Sequence, residues 1–288
     1  MNTFSLIRFI VSHPLNKAQP IAAVGRFLRW QFACRLLNAP TALPFVDDTK
    51  LVMERGMTGA TGNWYCGLHE PDDMGLVLHL LRAGDTFFDI GANVGSYTVI
   101  AAGAVGADVV AAEPIPGTFA KLQRNIRFND LKVLALCCGI SGAPGELRFI
   151  SDSDTMNRIA LETEHENTTV VPVRTLDSLP GQPKLMKIDV EGHEMAVLEG
   201  GHSKLSSPEL LAVIMETNGA GEKFGTDDGQ LISKMASYGF GMFSYDPFKR
   251  ELRAAGAGIG NTIFARDPDA INALCQGARH YKLCNGTI

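Results

Sequence analysis

The sequence predicts an α/β protein built on a doubly wound sheet, preceded by a helical segment. Three observations carry that expectation. Short apolar runs of strand length alternate with longer helical patterns between residues 85 and 217. Several of these runs end in an acid or a glycine, as buried parallel strands do before a turn. Finally, residues 1–38 read as one or two helices broken near Pro14 and Pro20.

The elements follow in order. A short strand is expected at 50–54, then a glycine-rich turn, GMTGATGNWYCG, at 56–67. Apolar residues from Met74 to Leu81 predict a helix over 72–82, closed by Gly84. DTFFDI (85–90) is a buried strand, 94–104 a helix, and ADVVAAE (107–113) a second strand. A helix with proline at its start covers 116–129. LKVLALCCGI (131–140) is a third strand, with weaker strands at 146–150 and 169–173. KLMKIDV (184–190) and a helix through Leu198 come next, then LLAVIMET (210–217), a helix over 228–238, and closing strands at 239–245 and 261–267. The division expected is a basic N-terminal segment, 1–60, and one domain, 61–288.

Composition narrows the function. The 288 residues are 45% hydrophobic and 20% charged, as in an ordinary globular protein. No apolar run reaches the ~18 residues of a membrane span. The net charge of −5 argues against a duplex nucleic acid partner. Residues 1–46 hold Arg8, Lys17, Arg26, Arg29 and Arg35 and no acid, which leaves −10 for the remainder. Such a segment can touch anionic lipid or an acidic partner; packing on its own domain is the simpler expectation. No small-residue cleavage site follows the first apolar run, so no secretory signal is expected. The six cysteines form no CxxC, and the seven histidines show no HxxxH or HExxH spacing. Free thiols in a cytoplasmic protein, and no metal site, are expected.

Doubly wound sheets bind ligands beyond the C-terminal ends of their strands. Four stretches stand there. In Asp89-Ile-Gly91-Ala-Asn93-Val-Gly95, Gly91 permits a tight turn and Gly95 lets a ligand approach the helix start. Asn93 replaces the second glycine of a dinucleotide fingerprint, which favours a nucleoside without pyrophosphate. Glu113 ends the next strand and suits two ribose hydroxyls. Lys187-Ile-Asp189-Val-Glu191-Gly192-His193-Glu194 crowds ionisable groups at a strand end, for acid–base work or a divalent cation; a helix N-terminus favoured by acids is the simpler account of Glu191 and Glu194. Glu216 ends the strand after that. Upstream, Trp64, Tyr65, His69 and Glu70 form a cluster whose aromatics suit loop packing.

DTFFDIGANVGSYTVIAA, AAEPIPGTFAKLQRNI and KIDVEGHEMAVLEG, with GNWYCGLHEPDD before them, resemble in order and spacing the FkbM family of S-adenosylmethionine (SAM)-dependent methyltransferases. The likeness runs from about Gly62 to Asp267. It implies a Rossmann-like seven-stranded sheet with one antiparallel strand, and O-methylation of a sugar or a glycosylated or polyketide-type small molecule. It implies SAM held by Glu70, Asp89, Gly91, Asn93, Gly95 and Glu113, with adenine near residues 139–141, including Ser141. Cys138 stands where the family shows a small residue, and His69 where an aromatic is common. Asp189 is the first candidate base, followed by His193 and Glu216. The alternatives are a SAM-binding protein without turnover and a dinucleotide-dependent oxidoreductase. The polar stretch 151–168, with Asn157 and Arg158, is expected to form a loop over the site.

Overall fold

The structure, a computed structural model, describes residues 3–150, 158–159, 168–256 and 260–288. Two helices, α1 (Thr3–Ser12) and α2 (Pro20–Leu37), lead into the hairpin β1 (Thr41–Pro44) and β2 (Lys50–Met53). Helices α3 (Thr58–Cys66) and α4 (Pro71–Leu80) follow. Then come β3 (Thr86–Ile90), α5 (Ser96–Val99), β4 (Asp108–Ala112), α6 (Pro116–Phe128) and β5 (Val133–Leu136). A separate small sheet takes β6 (Gly139–Ile140), β7 (Gly145–Ile150), β8 (Arg158–Ile159) and β9 (Thr168–Arg174). The chain then returns through β10 (Leu185–Ile188), α7 (Glu194–Glu199), α8 (His202–Ser206), β11 (Ala212–Thr217) and α9 (Asp228–Ser237). It closes with β12 (Gly241–Asp246), β13 (Glu251–Ala254), β14 (Gly260–Ala265), α10 (Pro268–Gln276) and the short hairpin β15 (Lys282–Leu283) and β16 (Gly286–Thr287).

The main sheet has the order β13-β12-β14-β11-β10-β3-β4-β5. Strands β5, β4, β3, β10 and β11 are parallel, and β14 runs against β11 and β12. This is the expected Rossmann-like sheet of seven strands with one reversed, extended by β13 as an antiparallel edge. Strand order reverses between β3 and β10, so their C-terminal ends lie side by side where such sheets bind ligands. Alternation along each strand divides the interior. Phe87, Val109, Leu185 and Ile214 face one core; Phe88, Val110, Met186 and Val213 face the other.

Several local expectations change. The run 131–140 is two strands in two sheets, because the chain leaves β4 after Leu136 and Gly139 pairs with Val173. The glycine-rich stretch 56–67 is mostly the helix α3, where burial of Ala60, Tyr65 and Cys66 outweighs the two glycines, Gly59 and Gly62. The helix at 94–104 begins at Ser96 and continues beyond α5 as a π-helical turn over Ile100–Val105. The sequence reading passed over β1, β13, α10 and the last hairpin, although Asp267 caps α10 and Pro268 follows it. Most of 151–168, the expected loop with Asn157, lies outside the described residues, as does the side chain of Arg158. All six cysteines are free. Among the described residues no helix is long and apolar enough to cross a membrane.

The N-terminal helices are bound to the sheet domain through polar groups as well as apolar ones. Ile10, Phe27 and Trp30 share a core with Tyr65 and Met74, and residue 60 falls inside α3. The buried Arg26 guanidinium donates to the Tyr65 carbonyl at 2.9 Å and to Asn16 Oδ1 at 2.8 Å. Arg26→Met would remove these charge-assisted bonds, leaving the Tyr65 carbonyl only the Asn16 amide at 3.1 Å and Asn16 Oδ1 only the Asn285 amide at 2.8 Å. A loss of about 2–3 kcal/mol is expected by denaturant unfolding.

Candidate functional site

The first turn after β3 is shaped by its neighbour. Gly91 has φ +82°, and a Cβ there would lie 1.8 Å from the Asp189 carbonyl oxygen. Only glycine lets the loops after β3 and β10 come this close. Gly95, at φ +91°, answers to a different contact: its Cβ would sit 2.5 Å from Leu122 Cδ1 on α6. A side chain at Gly95 would therefore have to displace the end of Leu122 as well as adopt a left-handed backbone. Between them, Asn93 adopts φ +49°, a conformation asparagine tolerates better than most residues.

That Asn93 turn is tied to Glu113. The Asn93 amide donates to Glu113 Oε2 at 2.9 Å, and the Ile115 amide donates to Oε1 at 3.0 Å. Burial pushes the Glu113 carboxyl up to about 7, against the pull of those two amides. Asp89 is buried beneath the turn and accepts from Thr98 Oγ1 at 2.6 Å; burial raises its pKa as well.

β10 carries a lysine into the interior. Lys187 is 3% exposed and pairs in register with Asp89. Its ammonium donates to Asp189 Oδ2 at 2.5 Å and lies 4.8 Å from the centre of the Tyr97 ring. Burial alone would lower its pKa, but the carboxylates of Asp189, Glu70 and Asp89 override that and raise it. Glu70 accepts from the Tyr97 hydroxyl at 2.7 Å. Asn261 on β14 donates to Glu70 at 3.3 Å and to Asp73 at 2.7 Å.

The DVEGHE turn separates into distinct roles. Glu194 folds back to accept from the Val190 and Gly192 amides, the helix-start role expected of an acid there. Glu191 sits at φ +56°, in the left-handed region. Oxygens of Asp189, Glu191 and Glu216 lie within 4.8 Å of one another, close enough to hold a divalent cation. Burial and then the Asp189 charge push Glu191 up to about 7 and Glu216 up to about 8. Glu216 Oε1 accepts from Asn218 at 2.7 Å, while Oε2 is buried without a hydrogen-bond partner. His193 lines a cavity with Asp189 and Glu191 and lies 3.0 Å from Ser141 Oγ, edge-on to Phe224; burial lowers its pKa.

Two cavities meet here. One is lined by Glu113, Cys138, Gly139, Ile140, Phe149 and His193. The other extends beneath α1, α2 and α3, past Trp30, Arg55, Asn63 and Glu70. Gly91, Asn93 and Asp189 line both. The sequence reading did not single out Asn63, Tyr97, Asp73, Asn261 or Phe149, and it named Lys187 only as part of its motif. A lysine inside an apolar strand was the one available signal; the others arrive from distant elements.

A family model for the methyltransferase FkbM domain matches residues 89–242. The chain belongs to that family. Its cofactor is SAM. The hexuronic acid methyltransferase AglP of Haloferax volcanii is 30% identical over 149 residues, 50% of this chain and 61% of that protein. The chain thus spans less than two thirds of that relative's length. A ribosomal protein L11 methylase from Lactobacillus delbrueckii subsp. bulgaricus is 14% identical, with a TM-score of 0.41, over 70% of this chain and 82% of that one. A precorrin-6y C5,15-methyltransferase from Geobacter metallireducens is 13% identical, with a TM-score of 0.40, over 68% and 87%. Both scores are too low to carry a conclusion about this chain.

The lining of the first cavity fits such a cofactor. It holds Glu113, Asp189 and Glu191 and, among the described residues, no lysine or arginine. That field suits a sulfonium and repels the pyrophosphate of a dinucleotide.

The crowded acids have a consequence for stability. The folded pKa values of Glu113, Glu191 and Glu216 stand above the ordinary 4.5. The native state therefore binds protons more tightly than the unfolded chain. Their contribution is full below about 4.5 and is lost as pH rises through about 7 to 8. Ligand-free protein should melt higher at pH 6 than at pH 8, and Glu216→Gln should shrink that difference.

Proposed function

We propose that the protein is a SAM-dependent O-methyltransferase acting on a hydroxyl of a carbohydrate or glycosylated small molecule. The observation that carries this reading is Asp189, held by Lys187 at the junction of the two cavities. The nucleoside belongs in the first cavity, with ribose hydroxyls on Glu113 and adenine between Ile140 and Phe149, His193 and Ser141 forming the wall behind it. The methionine end belongs beyond Gly91 and Asn93, near Asp89 and Glu70. Gly95 supports this turn through Leu122.

When bound, SAM supplies a methyl group activated by a positively charged sulfur. The protein's part is orientation and proton transfer. Lys187 fixes one oxygen of Asp189, and the side chain, 34% exposed, keeps the other available to an acceptor hydroxyl. Asp189 aligns that hydroxyl and takes its proton as the methyl group arrives, a task worth roughly 10²- to 10⁴-fold. Glu191 and Glu216, within 4.8 Å of it, receive the proton next. Their raised pKa values suit that exchange near neutral pH. His193, bonded to Ser141 on the nucleoside side, is placed as a wall of the pocket.

Support for a sugar acceptor comes from the second cavity and from the likeness to a hexuronic acid methyltransferase. Trp30 and Tyr65 line the cleft together with Gln31, Arg55, Thr58 and Asn63. Aromatic residues beside hydrogen-bonding groups match a hydroxyl-rich ring.

Three outcomes are expected. Glu113→Gln should weaken SAM binding roughly 10- to 100-fold by calorimetry. Wild-type affinity should itself decline as pH falls through about 7, the value at which Glu113 takes up a proton; unchanged affinity in the variant removes the ribose assignment. Asp189→Asn should leave SAM affinity nearly intact and cut single-turnover rates by roughly 10²-fold or more. His193→Ala should be the milder change in rate, and the reverse order would make His193 the base. Finally, EDTA should leave turnover intact. Loss restored by Mg²⁺ or Mn²⁺ would make Asp189, Glu191 and Glu216 cation ligands.

A further inference from the structure

Helix α2 is apolar on two opposite faces, and the fold uses only one of them. Ala23, Phe27, Trp30 and Cys34 turn inward and are buried. Ile21, Leu28, Phe32 and Leu36 turn outward and are exposed, Ile21 by 86% and Phe32 by 71%. At about 100° per residue these four fall within a sector of roughly 80°. Gly25 lies in the same sector, and a Cβ there would meet nothing within 4 Å. By the same count Arg35 borders the stripe on one side and Arg29 on the other, both exposed. α1 adds exposed Phe4 and Val11 with Arg8 between them, and Lys17 is exposed at the connection.

We propose that α1 and α2 dock the protein on an anionic membrane surface. An exposed apolar stripe of this length on a folded domain marks a contact surface. Its setting decides what it contacts. Residues 1–46 carry no acid, and four of their five basic groups, Arg8, Lys17, Arg29 and Arg35, are exposed, Arg26 being buried. A second copy meeting this face through a two-fold axis would bring the same cations against it with no carboxylate to offset them. An acidic bilayer satisfies both features at once: the stripe enters the acyl boundary and the flanking arginines meet lipid phosphates. The inner side of the same helices, through Phe9, Trp30 and Cys34, lines the cavity that reaches Asp189. Docking therefore holds that cleft directly behind the lipid-facing helices.

The test is co-sedimentation of the full chain with vesicles. Binding to phosphatidylglycerol mixed into phosphatidylcholine is expected, with little binding to phosphatidylcholine alone and a decline as salt rises. The double variant F32E/L36E should lower partitioning roughly tenfold or more while calorimetric SAM affinity and the circular dichroism spectrum stay as in wild type. R29Q/R35Q should weaken binding by roughly fivefold per arginine and flatten its salt dependence. Absence of wild-type binding to the anionic vesicles overturns the proposal, as does unchanged partitioning of F32E/L36E. A dimer in analytical ultracentrifugation that F32E/L36E dissociates, without vesicle binding, assigns the stripe to self-association and overturns it too.

Discussion

The ammonium of Lys187 lies among Asp89, Asp189, Glu70 and the Tyr97 ring, with almost no access to water. A buried charge of this kind persists only when its partners compensate for lost hydration. Here compensation acts in both directions. Without Lys187, Asp89 and Asp189 would face each other across neighbouring strands with no countercharge between them. Without those acids, the lysine would shed its proton or leave the interior. The interaction also has directional content. It draws Asp189 to the end of β10, next to the turn that Gly91 makes against the Asp189 carbonyl oxygen. The position of the candidate base and the path of the cofactor loop are thus set by one compact arrangement.

That arrangement leaves the surroundings acidic. Asp73 is pushed up to about 7 by burial and by Glu70, and Glu113, Glu191 and Glu216 lie in the same elevated range. Near neutral pH these groups are partly protonated, and as pH rises through that range one lysine does not offset the charge they gain. A site with excess acid favours a cationic ligand, and the attraction weakens once that ligand loses its charge.

The sequence was most informative where a residue's position along a strand sufficed. Asp89, Glu113, Asp189 and Glu216 each end an apolar run, and the structure brings each to the same edge of the sheet. It was least informative where two distant elements had to meet. Phe149 reaches the first cavity from the small sheet, and Asn261 reaches Glu70 from β14, 191 positions away. Nothing in local spacing announces either contact. Gly95 illustrates a different limit. Its need for glycine was legible; that a side chain there would also meet Leu122 from α6 appears only when the helices are assembled. The helix α3 was hidden for a related reason. Its glycines speak for a turn, and only burial against α2 reverses that preference.

The N-terminal helices join these threads. Arg26 in α2 donates to the Tyr65 carbonyl, and the Trp64 indole donates to the Arg26 carbonyl at 3.2 Å. The aromatic cluster at 64–65 is thereby explained by packing, yet it is the packing that makes a cleft. With α2 fixed on α3, Trp30 and Gln31 face Asn63 and the floor formed by Asp89 and Asn93. Asn63 in turn donates to Ser96 Oγ at 3.1 Å and accepts from the His69 amide at 2.7 Å. One short helix therefore connects the outer helices to the cofactor turn. The second cavity is lined largely by chain that precedes the sheet, while the first is lined by strand ends and the loops that follow them. The lining from α1–α3 can then vary without disturbing the strand ends that carry Asp89, Glu113 and Asp189.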